Sequence, residues 1–208
     1  MRGGLPKVVD MLRSAPSYMY NRKDLETGNK VLLPSDILHH LSNMYHGDMP
    51  HPMVFSVSTL RTRKTVYVGV LEFVAPEHTI VLPFWLFNEL GLNEGEMIRL
   101  GIADFLPKAN FAKIRPHKTE FIELPDPRAL LEIHLRNFVC LTKNETITLN
   151  FMNKDYQLDI LELKPENQYN TGIIIDTDLF LDFAPPLDYV EPPKPSQVKE
   201  VVEEEGPF

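Results

Sequence analysis

Along the pattern of apolar and polar positions, the clearest strand is Thr65-Val66-Tyr67-Val68-Gly69-Val70-Leu71-Glu72-Phe73-Val74. β-Branched and aromatic residues dominate this run, which predicts a strand rather than a helix. Gly69 in its middle predicts a bend or the close approach of another segment. Shorter stretches of similar character predict strands at 53–57, 96–102, 111–115, 146–151, 156–163 and 172–176. Helical periodicity is strongest at 128–138, where Leu130, Leu131, Ile133, Leu135 and Phe138 form the apolar set and Glu132, His134 and Arg136 take other faces. Asp126 and Pro127 precede it as an amide-capping residue and a first-turn proline.

One pattern recurs. Val31-Leu32-Leu33-Pro34 leads into Ser35-Asp36-Ile37-Leu38-His39-His40-Leu41, and 49 residues on, Ile80-Val81-Leu82-Pro83 leads into Phe84-Trp85-Leu86-Phe87-Asn88-Glu89-Leu90. Each unit is an apolar strand, a Leu-Pro exit and a short helix. Proline suits that junction because no backbone donor is lost there. Gly91 stands where a helix C-terminal cap is expected. Two such halves imply a pseudo-twofold β-barrel with one short helix per half, against the alternative of chance likeness between two amphipathic pieces. The expected architecture is mainly β with short helices. A barrel subdomain spans residues 1–116, a small α/β roll follows at 117–184, and residues 185–208 form a Pro/Glu-rich disordered tail.

Composition narrows the chemistry. The 208 residues carry a formal net charge of -8, whereas binding a phosphate backbone needs a concentrated positive face, so nucleic acid is not an expected partner. The single cysteine, Cys140, excludes an internal disulfide and any multi-cysteine zinc site. Neither a membrane-spanning stretch nor a secretory signal is legible, so a soluble cytosolic or nuclear protein is expected. Seven histidines invite a metal reading. However, His39 and His40 point about 100° apart on a helix, His46 and His51 lie past its expected end, and no His-Glu-x-x-His motif occurs. Asp176-Thr177-Asp178 lacks the glycine of an aspartic-protease turn. Cys140, within Phe138-Val139-Cys140-Leu141, sits in apolar surroundings that suit a buried thiol rather than a nucleophile. No catalytic residue, cofactor or metal is assigned, and a small barrel hydrolase or decarboxylase stands only as an alternative.

Several short segments together carry a family likeness. Lys30-Val31-Leu32-Leu33-Pro34-Ser35, Gly69-Val70-Leu71-Glu72-Phe73, Leu82-Pro83-Phe84-Trp85, Leu135-Arg136-Asn137-Phe138-Val139-Cys140-Leu141-Thr142, Glu162-Leu163-Lys164-Pro165 and Asp182-Phe183-Ala184-Pro185-Pro186-Leu187-Asp188-Tyr189 follow one another in order. In this they resemble the N-terminal domain of the ubiquitin fusion degradation protein 1 family. The resemblance implies a double-psi β-barrel followed by a smaller α/β subdomain. It also implies binding of ubiquitin and polyubiquitin, a complex with the nuclear protein localisation 4 homologue, and recruitment of the valosin-containing protein hexamer, an AAA ATPase. The expected pathway is proteasomal degradation, including that at the endoplasmic reticulum, with action in the cytosol and nucleus and at the cytosolic face of that organelle. Segment 56–68 departs from the family pattern, and the first strand near 7–12 matches poorly. A diverged, even organelle-specific, paralogue that has lost ubiquitin binding is therefore the alternative. Phe208, after the acidic run Glu203-Glu204-Glu205, is the candidate first residue of the family's ATPase-binding box.

Ubiquitin presents a small apolar patch ringed by basic residues, so its receptor needs exposed apolar groups near carboxylates. The boundary between subdomains is the first place to look. Phe105, Arg115, His117 and Phe121 flank it as candidate contacts, with Phe105 and Phe121 serving as interdomain glue in the competing view. Trp85 is expected to be core under the barrel lid. Arg136 and Asn137 are expected to terminate the helix.

Overall fold

The computed structural model of the chain describes residues 7–104 and 106–189. Its first unit is a closed six-stranded barrel. The strands are β1 (Lys7–Pro16), β2 (Lys30–Pro34), β3 (Val54–Thr59), β4 (Thr65–Ala75), β5 (Thr79–Leu82) and β6 (Met97–Ile102), with helices α1 (Ser35–Met44) after β2 and α2 (Phe84–Glu89) after β5. The order around the ring is β1-β5-β2-β4-β3-β6. β1 and β5 run parallel, as do β2 and β4, and the remaining neighbours are antiparallel.

The repeat read from the sequence is the symmetry of this ring. Exchanging β1 with β4, β2 with β5 and β3 with β6 maps the strand order and every pairing direction onto itself. Leu32 pairs with Val81, its own equivalent 49 residues away, as a local twofold axis requires. Val31, Leu33, Ile80 and Leu82 fill the barrel interior, while Leu32 and Val81 face outward into a small cluster with Leu25. Burial on both faces explains why these strands read as unbroken apolar runs. Ile37 and Leu41 of α1, with Leu86 and Phe87 of α2, close the core. Gly91 adopts φ +62° beyond α2, the left-handed cap its position predicts.

The second unit contains β7 (Phe111–Pro116), α3 (Pro127–Leu135), β8 (Cys140–Thr142), β9 (Thr146–Phe151), β10 (Lys154–Lys164), β11 (Thr171–Ile173) and β12 (Phe180–Phe183). A four-stranded sheet has the order β12-β7-β10-β9, and β11 pairs with β8. Since β7 belongs to this sheet, the break in strand pairing falls between Ile102 and Phe111, ahead of the boundary placed after residue 116. The proline there closes a strand instead of separating units. Residues 185–189, assigned to the tail by composition, are also held. Leu187 N–H donates to the Pro116 carbonyl, and Asp188 accepts from the Thr119 amide and hydroxyl, each at 2.7 Å. Backbone and capping bonds do here what the scarce apolar residues could not.

α3 begins as expected, with the Asp126 carboxylate accepting from Ala129 N–H at 2.9 Å, but it stops at Leu135 instead of 138. Phe138 is drawn into the second core, and the Val139 amide donates across the units to Asn29 Oδ1 at 2.9 Å. That tertiary bond turns the chain out of the helix. Ile133, counted in the apolar face, is 58% exposed. The same seam accounts for Gly69, where an added Cβ would lie 2.1 Å from Val139 Cγ2. Asn29 completes the seam by donating from Nδ2 to the Cys140 carbonyl at 2.9 Å.

Candidate functional site

Between the two units lies a cleft of about 830 Å³. Its barrel wall is α2 and the 3-10 turn at Lys23–Thr27, presenting Phe84, Trp85, Asn88, Glu89, Lys23 and Glu26. The opposite wall is the outward face of the β9–β10 hairpin, presenting Thr146, Thr148, Asn150, Asp155 and Gln157, with His117 and Lys118 at the end of β7. Met152 and Asn153 connect that hairpin at φ +50° and +58°, the left-handed pair that a two-residue turn between twisted strands needs. Ile147 and Leu149 point to the core, so period-2 alternation delivers hydroxyls and amides to the cleft.

Trp85 was expected to sit in the barrel core. Instead it is half-buried and packs against both cores. Its ring lies 6.1 Å from that of Phe138, and its Nε1 donates to the Gly28 carbonyl at 3.1 Å. The short helix of the second repeat thus closes its own barrel with Leu86 and Phe87 and reaches the neighbouring unit through Trp85. An indole has a polar edge that needs a partner and a broad face that can span two apolar surfaces.

The candidates from the sequence fare differently. Phe105 lies outside the described residues, as does Phe208. Phe121 lines the cleft but is only 1% exposed and meets Tyr156 edge-on at 5.6 Å, so it forms part of the second core at the floor of the cleft. Arg115 is committed to Asp159, with Nη2 donating at 2.8 Å, while its Nε is buried and without a hydrogen-bond partner. His117 does reach the cleft. Its Nε2 lies 2.7 Å from Asp159 Oδ1 and its Nδ1 3.2 Å from Gln157 Oε1. Burial alone would push the Asp159 carboxyl up, but hydrogen bonds from Arg115, His117 and Thr146 outweigh it and hold the group below its ordinary range.

Sequence reasoning missed the aromatic lip of the cleft. Ser17–Tyr20 forms a 3-10 turn whose Tyr18 is 57% exposed, with Met19 and Tyr20 also at the surface. Tyr18 meets Phe84, itself 42% exposed, edge-on at 5.4 Å. Glu26 accepts from the Phe84 amide at 2.8 Å and from the Ser17 hydroxyl, and Glu94 accepts from the Tyr18 hydroxyl. The run Ser-Tyr-Met-Tyr after Pro16 was the available signal, an aromatic cluster with neither helical nor strand periodicity.

Cys140 is buried, and burial drives its thiol well above the ordinary range, which disqualifies it as a nucleophile at neutral pH. Among the described residues, the side chains whose ligand atoms converge as a metal would require are Asp10, Asp36 and His78, within 4.8 Å of one another. His39, His40, His46 and His51 are not among them. Asp36 and His78 are exposed and Asp10 is half-buried, and none of the three lines the cleft.

Comparison with known proteins agrees with this geometry. Residues 8–106 match the family described as ubiquitin fusion degradation protein UFD1, N-terminal subdomain 1, and residues 108–186 match its N-terminal subdomain 2. The chain is 40% identical over 171 residues to the ubiquitin fusion degradation protein 1 homolog of Caenorhabditis elegans, covering 82% of this chain and 48% of that protein. It is 36% identical over 187 residues to ubiquitin fusion degradation protein 1 of Saccharomyces cerevisiae, covering 88% and 51%. It is 35% identical over 186 residues to the human ubiquitin recognition factor in ER-associated degradation protein 1, covering 89% and 58%. The chain thus spans about half the length of the curated relatives it matches. With both subdomain types matched in sequence order and the barrel and α/β unit both in place, the chain belongs to the ubiquitin fusion degradation protein 1 family.

Proposed function

We propose that this chain is a ubiquitin-recognition module of ubiquitin-dependent protein degradation, acting by binding and not by catalysis. The observation that carries this reading is the aromatic lip of the cleft. Tyr18, Met19 and Phe84 are exposed beside the carboxylates of Glu26 and Glu94. Apolar groups framed by acids complement an apolar patch framed by bases, in shape at the centre and in charge at the rim. His117 stays a candidate contact on the far wall. The printed names of the relatives, which speak of ubiquitin fusion degradation and of ubiquitin recognition in ER-associated degradation, support the same reading.

In this role the module holds ubiquitin or polyubiquitin on clients delivered to the valosin-containing protein hexamer, together with the nuclear protein localisation 4 homologue. The work takes place in the cytosol and nucleus and at the cytosolic face of the endoplasmic reticulum. The test is a titration of isotope-labelled chain with mono-ubiquitin and with a ubiquitin chain, following backbone amide shifts. Shifts centred on 18–20, 84 and 117 are expected. Tyr18→Ala and Phe84→Ala should each weaken binding about tenfold, the scale of a buried aromatic anchor. Unmoved amides at high ubiquitin concentration would leave the fold intact and remove the function.

A further inference from the structure

β9 is the edge of its sheet, and its register with β10 fixes which backbone groups are unpaired. Phe151 faces Lys154 across the two-residue turn, so that pair exchanges hydrogen bonds and the pattern alternates from there. Leu149 and Ile147 bond to β10, whereas Thr146, Thr148 and Asn150 turn their N–H and C=O groups away from the sheet. Two contacts agree with this phase. The Asn150 carbonyl is reached from outside the sheet by His134 Nε2 at 3.0 Å, and on β10 the Gln157 carbonyl accepts from the His117 amide on the β7 side. The side chains of the same three β9 residues line the cleft.

We propose that the β9 edge is a strand-addition site for an extended basic segment, namely the C-terminal extension through which ubiquitin is joined to its substrates. This rests on the ubiquitin reading above and deepens it. Strand addition draws affinity from main-chain hydrogen bonds and selectivity from pockets for alternate side chains. The free groups of Thr146 and Thr148 supply the first. For the second, Phe84 and Trp85 form the facing apolar wall, suited to aliphatic side chains. Carboxylates stand on both sides, Glu26 on the barrel and Asp155 on the hairpin, and neither has an ion-pair partner among the described residues. Glu89, a third, is paired with Lys64. Lys23 and Lys118 also line the cleft, so its lining carries three carboxylates against two lysines, which suits an occupant carrying positive charge. The cleft also adjoins the aromatic lip through Phe84, so one ligand can engage both.

The experiment compares intact ubiquitin with ubiquitin trimmed of its flexible C-terminal extension, each titrated into the labelled full chain. Loss of two main-chain bonds should make the trimmed form bind about tenfold more weakly. The Thr146 and Thr148 amides should shift only with the intact form. Thr148→Pro removes an N–H that the β10 ladder does not use, which an edge strand tolerates. It should bring intact ubiquitin down to the affinity of the trimmed form, whereas Thr148→Ser should behave as wild type. Equal binding of the intact and trimmed forms would overturn the strand-addition site and leave the ubiquitin function standing. Binding of neither form would overturn both.

Discussion

Asn29 is the residue through which the two units depend on each other most directly, and its removal has a calculable cost. It is 2% exposed. Its Oδ1 accepts the Val139 amide at 2.9 Å and its Nδ2 donates to the Cys140 carbonyl at 2.9 Å. A longer contact runs from Nδ2 to the Tyr67 carbonyl at 3.4 Å, but that oxygen also receives the Cys140 thiol and would not be orphaned. Asn29→Ala therefore strands one buried donor and one buried acceptor. Each unsatisfied group costs about 1–3 kcal/mol, so a loss of roughly 3–4 kcal/mol is expected. For a chain of this size that corresponds to a fall of about 6–16 °C in Tm. Urea unfolding followed by circular dichroism would measure it as a lower midpoint. Asn29→Asp separates hydrogen bonding from packing. A carboxylate could still accept from Val139 but would face the Cys140 carbonyl. This variant should be weak at pH 7 and recover as the pH falls and the buried acid takes up a proton able to donate to that carbonyl. A loss under about 0.5 kcal/mol for Asn29→Ala, the scale of an ordinary surface substitution, would refute the claim that this side chain ties the units together.

Three further outcomes follow from the same seam and from the cap of α3. Gly69→Ala should destabilise the chain by about 1–3 kcal/mol, because its Cβ would lie 2.1 Å from Val139 Cγ2 and valine has little rotamer freedom to yield. The double variant with Val139→Ala should recover part of that loss, and strictly additive losses would show that the clash is not the cause. Burial pushes the Glu145 carboxyl up to about 7, with the Thr142 hydrogen bond opposing and the charge of Glu89 adding to the rise. A carboxyl raised in the folded state stabilises most below its ordinary range and loses that contribution as pH rises through 7. Glu145→Gln should therefore gain about 1–3 kcal/mol relative to wild type at pH 8 and nothing near pH 4, and parallel Tm–pH curves for the two proteins would contradict this. Asp126→Ala removes the cap on Ala129 and should cost about 1 kcal/mol in thermal unfolding, with Asp126→Asn close to neutral.

Local chemistry and pattern determined much of this protein. The apolar runs located the strands from β2 to β7 and the β9–β10 hairpin, because a strand buried on one or both faces must carry its burial in consecutive or alternate residues. The repeat beginning at Val31 and Ile80 anticipated the barrel's twofold symmetry, since equal roles in a symmetric ring impose equal sequences of strand, proline exit and helix. Asp126-Pro127 and Gly91 marked helix ends by backbone requirements that are local. Tertiary structure decided the rest. β8 and β12 are too short to show a period. β7 lies ahead of the expected boundary yet joins the second sheet because strand partners are chosen at long range, and α3 stops early because Asn29, distant in sequence, captures the Val139 amide. The candidate site divides in the same way. That a cleft would lie between the units was legible, yet the burial of Phe121, the commitment of Arg115 to Asp159 and the exposure of Tyr18 and Phe84 were not. Residue type sets what a side chain can do, but only packing decides whether it is free to do it.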